Sequence, residues 1–415
     1  MGLQPRRPLR DAPGQGRARS RRHHEPRQSV PRPGSQASAP GGTYRARDRG
    51  EMVVKAPAVE RPGSAEEVAT RLREAAEARL AVTPVGGGRA SGMGDSTDPC
   101  DVEIRTSRLD RVLEHSQADM VVSVEAGITV EALQAALLKK GQFLPLDPFN
   151  SPGHTIGGLL ASGWTGPLRM RFGSPRDFLI GIRVALPDGR LASAGGRVVK
   201  NVSGYDMMKL HLGALGSLGV IVAASFKVFP TPLHDVTVES SHASLEEGLA
   251  ASDKALGLPL APSALELFSS GRVLARFLGS RDAVERMVGE LGWSKTDASA
   301  WTQHSRRGPE NWARIAVPRH KLRPTLLGLP LDAEWWASPG VGVVHWTVAN
   351  DPERVRDARS AAEAAGGSLV LMAAPAELKR AIGAWGTPPP TLALMQRLKA
   401  AFDPQHVLNP GRFVV

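Results

Sequence analysis

Four glycine-bearing segments set the strongest constraint on what this chain can fold into. Three fall in the first 221 residues, PVGGGRASG at 84–92, TIGGLLASGWTG at 155–166 and GGRVVKNVSGYDMMKLHLGALGSLGVI at 195–221, and the fourth is NPGR at 409–412. Glycine has no Cβ, so backbone can approach a ligand closely and successive N–H groups can converge on an anion. Each segment alone is compatible with an ordinary surface turn. Together they favour a chain that binds one large, dinucleotide-like cofactor.

The first segment excludes two common nucleotide sites. PVGGGRASG lacks the GxGxxG spacing of the turn that binds NAD, and it has no lysine where a P-loop places one. The apolar run LAVTPV (80–85) before the glycines instead predicts a strand followed by an anion-binding loop. A capping box, SAEE at 64–67, predicts the start of a helix that precedes this strand.

Strand-like and helix-like stretches alternate along the rest of the chain. Strands are predicted at 120–124, 178–187, 190–194, 219–229, 263–268 and 273–278, and helices at 129–140, 244–256, 281–291 and 392–402. The glycine loops stop after PTP at 230–232, which marks a predicted domain boundary. We therefore expect an α+β fold with a first domain at 52–232, a smaller cap domain at 233–395 and a C-terminal return to the first domain at 396–415.

Charge separates the first 50 residues from the rest. The net charge is +11, but residues 1–50 contain twelve Arg, no Lys and three acids, a net +9 that leaves +2 for the other 365 residues. The nearly neutral remainder argues against a nucleic-acid-binding body, since phosphate recognition needs a clustered basic face. Low apolar content predicts that residues 1–51 are a disordered Arg-rich extension. This extension is interpreted as a nucleic-acid or partner arm, a transit-like segment, or an untranslated stretch before a true start at Met52.

The cysteine count and the length of the apolar runs limit which covalent links, metal clusters and membrane segments this chain can have. Cys100 is the single cysteine, so this chain cannot form an internal disulfide or hold an iron–sulfur cluster by itself. No apolar run approaches the roughly 18 residues that a membrane span needs. We therefore expect a soluble chain without a transmembrane segment, whose iron–sulfur relay, if one exists, lies in a partner.

Side chains outside the loops offer further candidates for chemistry. His154 lies directly before TIGG and is a candidate for proton transfer, and His345 follows the apolar run GVGVV at 340–344. A buried structural role is the more ordinary interpretation of His345. Arg319 and Arg323 could bind a carboxylate, because a guanidinium pairs with it bidentately, although surface ion pairing is the commoner role.

The chain resembles a known family in five blocks. These are PVGGGRASG, the TIGG turn, FGSPRDFLIGIRVALPDGRL, KNVSGYDMMKLHLGALGSLGVI and the terminal AFDPQHVLNPGRF. They are similar to the FAD-binding fold of the vanillyl-alcohol oxidase and p-cresol methylhydroxylase superfamily, over about residues 55–232 and the last dozen residues. Within it, the chain resembles the FAD-binding E subunits of bacterial glycolate oxidase. The resemblance implies a two-subdomain FAD-binding fold plus a smaller α+β cap.

The resemblance also implies which residues bind FAD. In the superfamily the first glycine loop binds the pyrophosphate, the TIGG turn lies along the isoalloxazine ring and ribityl chain, and the segment ending near residue 221 contacts adenine and pyrophosphate. Carried over, the implied FAD ligands are Val85, Gly86, Gly87, Gly88, Arg89, Ala90, Ser91, Thr155, Ile156, Gly157, Gly158, Ser162, Lys200, Gly219, Val220, Ile221 and Asn409.

Two departures from the family pattern bear on chemistry. Some members attach the flavin through a histidine in the first loop, and GGGRASG has none, so the resemblance implies noncovalent FAD. Related 2-hydroxy-acid dehydrogenases hold the substrate with a His-rich metal site in the cap. No HxGDGN-like block occurs in 230–400, so we expect no metal and a chain that works with partners.

These observations predict an FAD-dependent oxidoreductase subunit. It would take part in oxidising glycolate or a similar 2-hydroxy acid and pass the electrons to a sister FAD subunit and an iron–sulfur subunit. Two alternatives stay open: a self-sufficient FAD-linked oxidase of another small alcohol or sugar, and a noncatalytic FAD-holding or scaffolding subunit. The expected location is cytoplasmic, or peripheral at the inner face of the cell membrane through partners.

Overall fold

The computed structural model describes residues 56–97, 99–149, 152–196, 206–305, 310–330 and 332–415. The Arg-rich extension 1–51 and the implied FAD ligand Lys200 lie outside the described residues. All described residues belong to one unit, Val54–Val415.

The described chain up to residue 230 alternates short strands and helices. Its strands are β1 (Ala58–Glu60), β2 (Val82–Val85), β3 (Val102–Arg105), β4 (Val112–Ser116), β5 (Val121–Glu125), β6 (Gln142–Phe143), β7 (Leu179–Ala185), β8 (Leu191–Gly195), β9 (Val220–Lys227) and β10 (Phe229–Pro230). Its helices are α1 (Ala65–Glu77), α2 (Val130–Leu138), α3 (Ile156–Ser162), α4 (Arg169–Phe172), α5 (Pro175–Phe178) and α6 (Met208–His211).

Helix α1 forms where the capping box predicts it. Ser64 Oγ accepts the N–H of Glu67 at 3.1 Å, and the Glu67 carboxylate accepts the N–H of Gly63 at 2.7 Å. The reciprocal bond thus goes one residue earlier than in the standard capping box, but it still fixes the first turn. Val68 and Leu72 lie one turn apart and are fully buried on the face that packs on the sheets.

Two sheets in the described N-terminal half support the glycine loops. A parallel three-stranded sheet has the order β1-β3-β2, and a five-stranded antiparallel sheet has the order β4-β5-β9-β7-β8. β2 ends at Val85, so the first glycine loop leaves the end of a parallel strand. Helix α3 packs on β9 through Ile156, Leu159 and Leu160, all fully buried. The first loop and α3 are therefore carried by different sheets.

The described chain after residue 233 has its own strands and helices. The strands are β11 (His234–Ser241), β12 (Ala264–Phe268), β13 (Arg272–Gly279), β14 (Ser294–Thr296), β15 (Trp312–Ala316), β16 (Trp335–Ser338), β17 (Val343–Thr347) and β18 (Ser368–Ala373). The helices are α7 (Leu245–Leu256), α8 (Arg281–Leu291), α9 (Ser299–Ser305), α10 (Leu322–Leu327), α11 (Pro352–Ala364), α12 (Ala376–Ile382) and α13 (Leu392–Phe402), with a 3₁₀ turn at Arg319–Lys321.

The strands of this half form one antiparallel sheet. Within the described ranges it has eight strands in the order β14-β11-β13-β12-β16-β17-β15-β18. Helices α7, α8 and α11 pack on it and bury a continuous apolar core. Phe149, Trp301 and Trp336 belong to a separate aromatic cluster together with residues of β12 and β13.

The end of the chain returns to the first sheet. Leu408 forms a parallel bridge with Val82 of β2. Lys399 Nζ on α13 donates to Asp403 at 2.6 Å and to the carbonyls of Ser217 and Leu408, both at 2.9 Å. The Lys399 and Asp403 side chains are only 3% and 0% exposed, so this ion pair is a buried anchor for the C-terminal segment.

One local prediction is wrong. The sequence predicts a turn at TIGG, but Ile156–Ser162 is helix α3, with Thr155 as its N-cap and Gly163 in a left-handed conformation (φ 68°) at its end. Thr155 Oγ1 accepts the N–H of Gly158, as an N-cap threonine does, so the local signal was a helix start.

No helix in the described part of the chain could cross a membrane. None combines the length and the apolar character that a membrane span requires.

Candidate functional site

A cavity of about 580 Å³ brings together most of the residues singled out in the glycine segments. Its walls come from the loop after β2, the start of α3, the C-terminal segment and α12. Of the implied FAD ligands, those lining it are Val85, Gly86, Gly87, Gly88, Arg89, Ala90, Ser91, Thr155, Gly158, Ser162 and Asn409. His154, one of the two catalytic candidates, lines it as well.

Glycine is required where the loop meets α3. A Cβ on Gly86 would lie 2.1 Å from Thr155 Oγ1, and one on Gly87 would lie 1.7 Å from the carbonyl oxygen of Gly153. Gly87 also donates its N–H to Thr155 Oγ1 at 3.3 Å. The two segments thus pack backbone against backbone, which only glycine allows.

The loop presents free donors. Among the described residues, the N–H groups of Gly88, Arg89 and Ala90 have no hydrogen-bond acceptor, while Ser91 donates to Gly88 O. Gly88 has a positive φ of 73°. Unpaired consecutive N–H groups in such a loop form an anion-binding concavity.

A smaller adjoining cavity of about 50 Å³ is lined by four further implied ligands. Gly157, Gly219, Val220 and Ile221 line it together with residues of the first loop. Ile156 lines neither cavity and packs in the core.

Asn409 closes the large cavity from the C-terminal side. It adopts a positive φ of 44°, is 5% exposed, and its side-chain amide donates to Leu215 O at 2.6 Å. Its N–H donates to Val82 O at 2.9 Å. The asparagine tolerates this left-handed conformation better than most residues do.

His154 is a buried, neutral histidine. Its Nε2 lies 2.9 Å from Phe149 O, and because a carbonyl can only accept, Nε2 carries the proton and Nδ1 has the free lone pair. Burial lowers the pKa of His154, and the charge of Arg89 lowers it further. Its ring centroid is 4.9 Å from that of Trp164.

His345 lies in a second, narrow cavity of about 20 Å³ that Trp164 also lines. The His345 ring stacks on Trp336 with a centroid distance of 5.1 Å and an interplanar angle of 13°. Burial, with Arg314 and His304 as further causes, lowers the pKa of His345 well below its usual value. The structure therefore places the two histidine candidates in separate, neighbouring cavities.

The second cavity also contains two arginines that the sequence motifs do not reveal. Arg314 on β15 and Arg169 on α4 both line it, and neither forms an ion pair with a described residue. Arg314 Nε is buried without a hydrogen-bond partner. Burial lowers the pKa of Arg314, and the charge of Arg169 lowers it further. Two close cations, one of them with a buried Nε that lacks a hydrogen-bond partner, form a candidate site for an anion.

The two arginines that the sequence suggests as carboxylate ligands lie elsewhere. Arg323 forms an ion pair with Glu246 on the surface, and Arg319 is exposed on the 3₁₀ turn. The surface interpretation of Arg323 is confirmed. Arg314 could have been suspected from its alternation with apolar residues in WARIAV, since a charge inside a buried strand is unusual.

Buried polar atoms without partners cluster around the second cavity. In the described part of the chain, the atoms that lack a hydrogen bond include Trp164 Nε1, Trp301 Nε1, Trp336 Nε1, Arg314 Nε, His345 Nδ1 and His304 Nδ1, as well as His304 Nε2 and Glu266 Oε2, which lie 3.8 Å from each other. Most buried polar groups in proteins are bonded, so this density marks a functional region. The described residues contain no group of three His, Cys, Asp or Glu side chains arranged to hold a metal ion.

Comparison with known proteins agrees with this geometry. Residues 56–195 match the FAD binding domain family, and residues 377–413 match the C-terminal domain of FAD linked oxidases. The solved structure of alkyldihydroxyacetonephosphate synthase superposes with a TM-score of 0.63 at 16% identity, covering 86% of this chain and 77% of that chain. The fold is thus that of an FAD-binding oxidase.

Sequence relatives define the family more closely. Glycolate oxidase subunit GlcE of Escherichia coli strain K12 is 30% identical over 315 residues, 72% of this chain and 84% of the relative. Glycolate oxidase subunit GlcD of Bacillus subtilis strain 168 is 24% identical over 414 residues, 86% of this chain and 88% of the relative. The chain belongs to the family of FAD-linked oxidoreductases that includes the glycolate oxidase subunits.

Proposed function

We propose that this chain is an FAD-binding subunit that oxidises glycolate or a similar small 2-hydroxy acid and passes the electrons to partner subunits. The observation that carries the substrate class is Arg314, whose Nε is buried without a hydrogen-bond partner, with Arg169 beside it, in a cavity next to the one with the glycine loop. A hydroxy acid always carries a carboxylate, which is the anion that a guanidinium binds best.

The large cavity fits FAD. Its free loop N–H groups suit the pyrophosphate, and the close packing at Gly86 and Gly87 holds the loop against the start of α3, which lines the same cavity. The ligands that we propose are the implied residues that line the two adjoining cavities; Ile156 is not among them. FAD, when bound, supplies the acceptor for a hydride from the alcohol carbon.

We propose that FAD is held noncovalently. Loop 86–92 offers no histidine, and the one histidine lining the large cavity, His154, is bonded to Phe149 O. Acid precipitation of the loaded protein should release all of the yellow colour into the supernatant. Colour retained in the pellet would show a covalent link.

The chain's own side chains can position the substrate and take its proton. Arg314 and Arg169 would hold the carboxylate and Trp164 would limit the size of the acid. His345 is neutral at physiological pH and lines the same cavity, so it can accept the hydroxyl proton. His154 Nδ1, on a ring next to Trp164, is the second candidate acceptor.

The cysteine content of the chain supports partner subunits. A single cysteine cannot bind an iron–sulfur cluster, so onward electron transfer through such a cluster needs another chain. The relatives GlcE and GlcD are both named as subunits, which supports a complex with a sister flavoprotein. We propose that the complex is cytoplasmic, with attachment to the inner face of the membrane, where it occurs, made by the partners.

The decisive experiment offers glycolate and D-lactate to the purified FAD-loaded chain without oxygen, alone and with its partner subunits, while the visible spectrum is recorded. We expect the flavin band to bleach when the partners are present. Bleaching of the isolated chain by another alcohol or a sugar would identify a self-sufficient oxidase instead. A flavin that no 2-hydroxy acid reduces, with or without partners, would refute the proposed function.

A further inference from the structure

Two cationic side chains from the C-terminal half donate hydrogen bonds to backbone carbonyls of the first glycine loop and of the residue after it. Arg412 donates to Ala90 O at 2.6 Å and Ser91 O at 2.9 Å through Nη2, and to Met93 O at 2.9 Å through Nε. Lys379 Nζ donates to Gly92 O at 2.6 Å. Four consecutive carbonyls are therefore bound by cationic side chains, which is far more than a surface loop needs.

These hydrogen bonds fix the direction in which the backbone N–H groups of the loop point. With the carbonyls of residues 90–93 turned to the cations, the N–H groups of Gly88, Arg89 and Ala90 remain without an acceptor in the described structure. They belong to a loop that lines the large cavity. The cations thus stabilise the form of the loop that can bind an anion.

The two cations are also poorly compensated. Lys379 and Arg412 both line the cavity, and neither forms an ion pair with a described residue. Burial lowers the pKa of Lys379, and the charge of Arg412 lowers it further. Asp95, a carboxylate that also lines the cavity and raises the pKa of Lys379, accepts the N–H of Ala384 at 2.6 Å. An anion bound in the cavity would offset this excess positive charge.

Lys379 is itself held firmly in place. It lies on α12, whose last carbonyls, Ile382 O and Gly383 O, accept hydrogen bonds of 2.5 Å and 2.8 Å from the Arg359 guanidinium. A buried arginine at the C-terminal end of a helix satisfies carbonyls that the helix leaves unpaired. The position of Lys379 is therefore set by the fold, not by the loop that it touches.

We propose that Lys379 and Arg412 are positioning residues for the pyrophosphate of the cofactor. They lock loop 86–93 with its N–H groups toward the cavity and add positive charge beside the phosphates. This inference rests on the proposed function only in that the large cavity holds FAD. It assigns part of the cofactor site to α12, outside the glycine segments, and it links docking of α12 to cofactor binding.

The test compares three ligands on matched variants. Lys379→Met removes the charge, Lys379→Arg retains it, and Arg380→Met makes the same charge change at an exposed position on the same helix. Equilibrium dissociation constants for FAD, ADP and riboflavin are measured on cofactor-free protein. ADP carries the pyrophosphate and riboflavin lacks it, so the pair separates phosphate binding from flavin binding.

We expect Lys379→Met to weaken FAD and ADP binding about 10- to 100-fold, the usual effect of losing a hydrogen bond from a charged donor. Riboflavin binding should stay within about twofold, as should every ligand on Arg380→Met, and Lys379→Arg should recover most of the loss. Equal FAD affinity in Lys379→Met and Arg380→Met would overturn the inference, and so would an equal loss for riboflavin and ADP.

Hydrogen exchange of the wild-type chain gives a second readout that needs no variant to fold. Adding ADP should slow exchange at residues 88–93 and at 378–383 together. Protection confined to the loop would overturn the role of α12. Wild-type protein that binds neither FAD nor ADP would refute the proposed cofactor as well, whereas normal wild-type binding with an unaffected Lys379→Met would refute this inference alone.

Discussion

At the scale of single residues, the sequence predicts the glycines of the site and misses its charges. Gly86 and Gly87 stand out because three glycines in a row directly after a strand are unusual, and in the structure Gly86 packs against the Thr155 side chain and Gly87 against the Gly153 backbone. Arg314 is marked locally only by its place between apolar residues of a strand, and Lys379 belongs to no local motif. Their importance comes from burial and from partners more than 100 residues away in sequence, such as Gly92 for Lys379, which no local pattern reveals.

Arg314 tests the substrate cavity directly. Arg314→Met should weaken the binding of oxalate about 10- to 100-fold, because the anion loses a charged donor in a buried site. Trp164 and Trp312 line the cavity, so quenching of tryptophan fluorescence reports binding. The control is Arg323→Met, on the surface pair with Glu246, which should bind oxalate like wild type. Equal affinity in the two variants would show that the carboxylate lies elsewhere.

Asp147 makes stability depend on pH in an unusual direction. Burial raises its pKa from 3.8 to about 8, so the folded state holds a proton that the unfolded state has lost. Between these two values the folded state binds more protons, and stability therefore falls as the pH rises toward 8. Asp147→Asn should reduce the loss of Tm between about pH 5 and about pH 8 relative to wild type. An unchanged pH dependence would show that this carboxyl is ionised in the folded chain.

At the scale of elements, local signals place most helices and strands. Ser64 caps α1 through the N–H three residues later, as the capping pattern predicts, and Ser244 caps α7 in the same way; α8 and α13 match the predicted 281–291 and 392–402. The sequence predicts a turn where α3 begins, because two glycines closely follow Thr155. The order of the eight-stranded sheet could not be read from sequence, since it depends on pairing between distant strands.

A substitution at Asp403 tests whether the buried pair of Lys399 and Asp403 anchors the C-terminal segment. Asp403→Ala leaves Lys399 charged and buried, and breaking such a pair costs about 3 to 5 kcal/mol. We expect faster proteolysis after Phe402 and weaker FAD binding, because Asn409 and Arg412 lose their support. Arg397→Met, an exposed change on the same helix, should alter neither. Normal protease resistance of Asp403→Ala would show that other contacts hold the C-terminal segment against the first sheet.

Helix α8 contains an exposed glycine, Gly289, at a position where no neighbouring atom requires the absence of a side chain. A methyl group added at Gly289 would meet open space, and its backbone is helical. Gly289→Ala should therefore raise the free energy of unfolding by about 0.5 to 1 kcal/mol, measured by urea denaturation, without changing FAD affinity. A decrease in stability would mean that this face of α8 is in contact with something.

At the scale of the whole molecule, different parts of the chain form the large cavity and the narrow cavity that contains Arg314 and His345. The glycine loop, α3 and the C-terminal segment form the larger one, and residues of the eight-stranded sheet form much of the smaller one. The change of sheet after Pro230 supports the domain boundary that we propose near residue 232. Oxidation of a hydroxy acid needs both a flavin and a carboxylate site, and we propose that the two cavities, which both lie next to Trp164, supply them.

Titration of the purified, cofactor-free chain with FAD, followed by the quenching of flavin fluorescence, shows whether the glycine loops bind the cofactor. We expect saturation at one FAD per chain. Gly87→Ala, whose methyl group would clash with Gly153 O, should prevent uptake, while Gly289→Ala should not. A chain that is folded by circular dichroism and yet takes up no FAD would contradict an FAD site built from these loops.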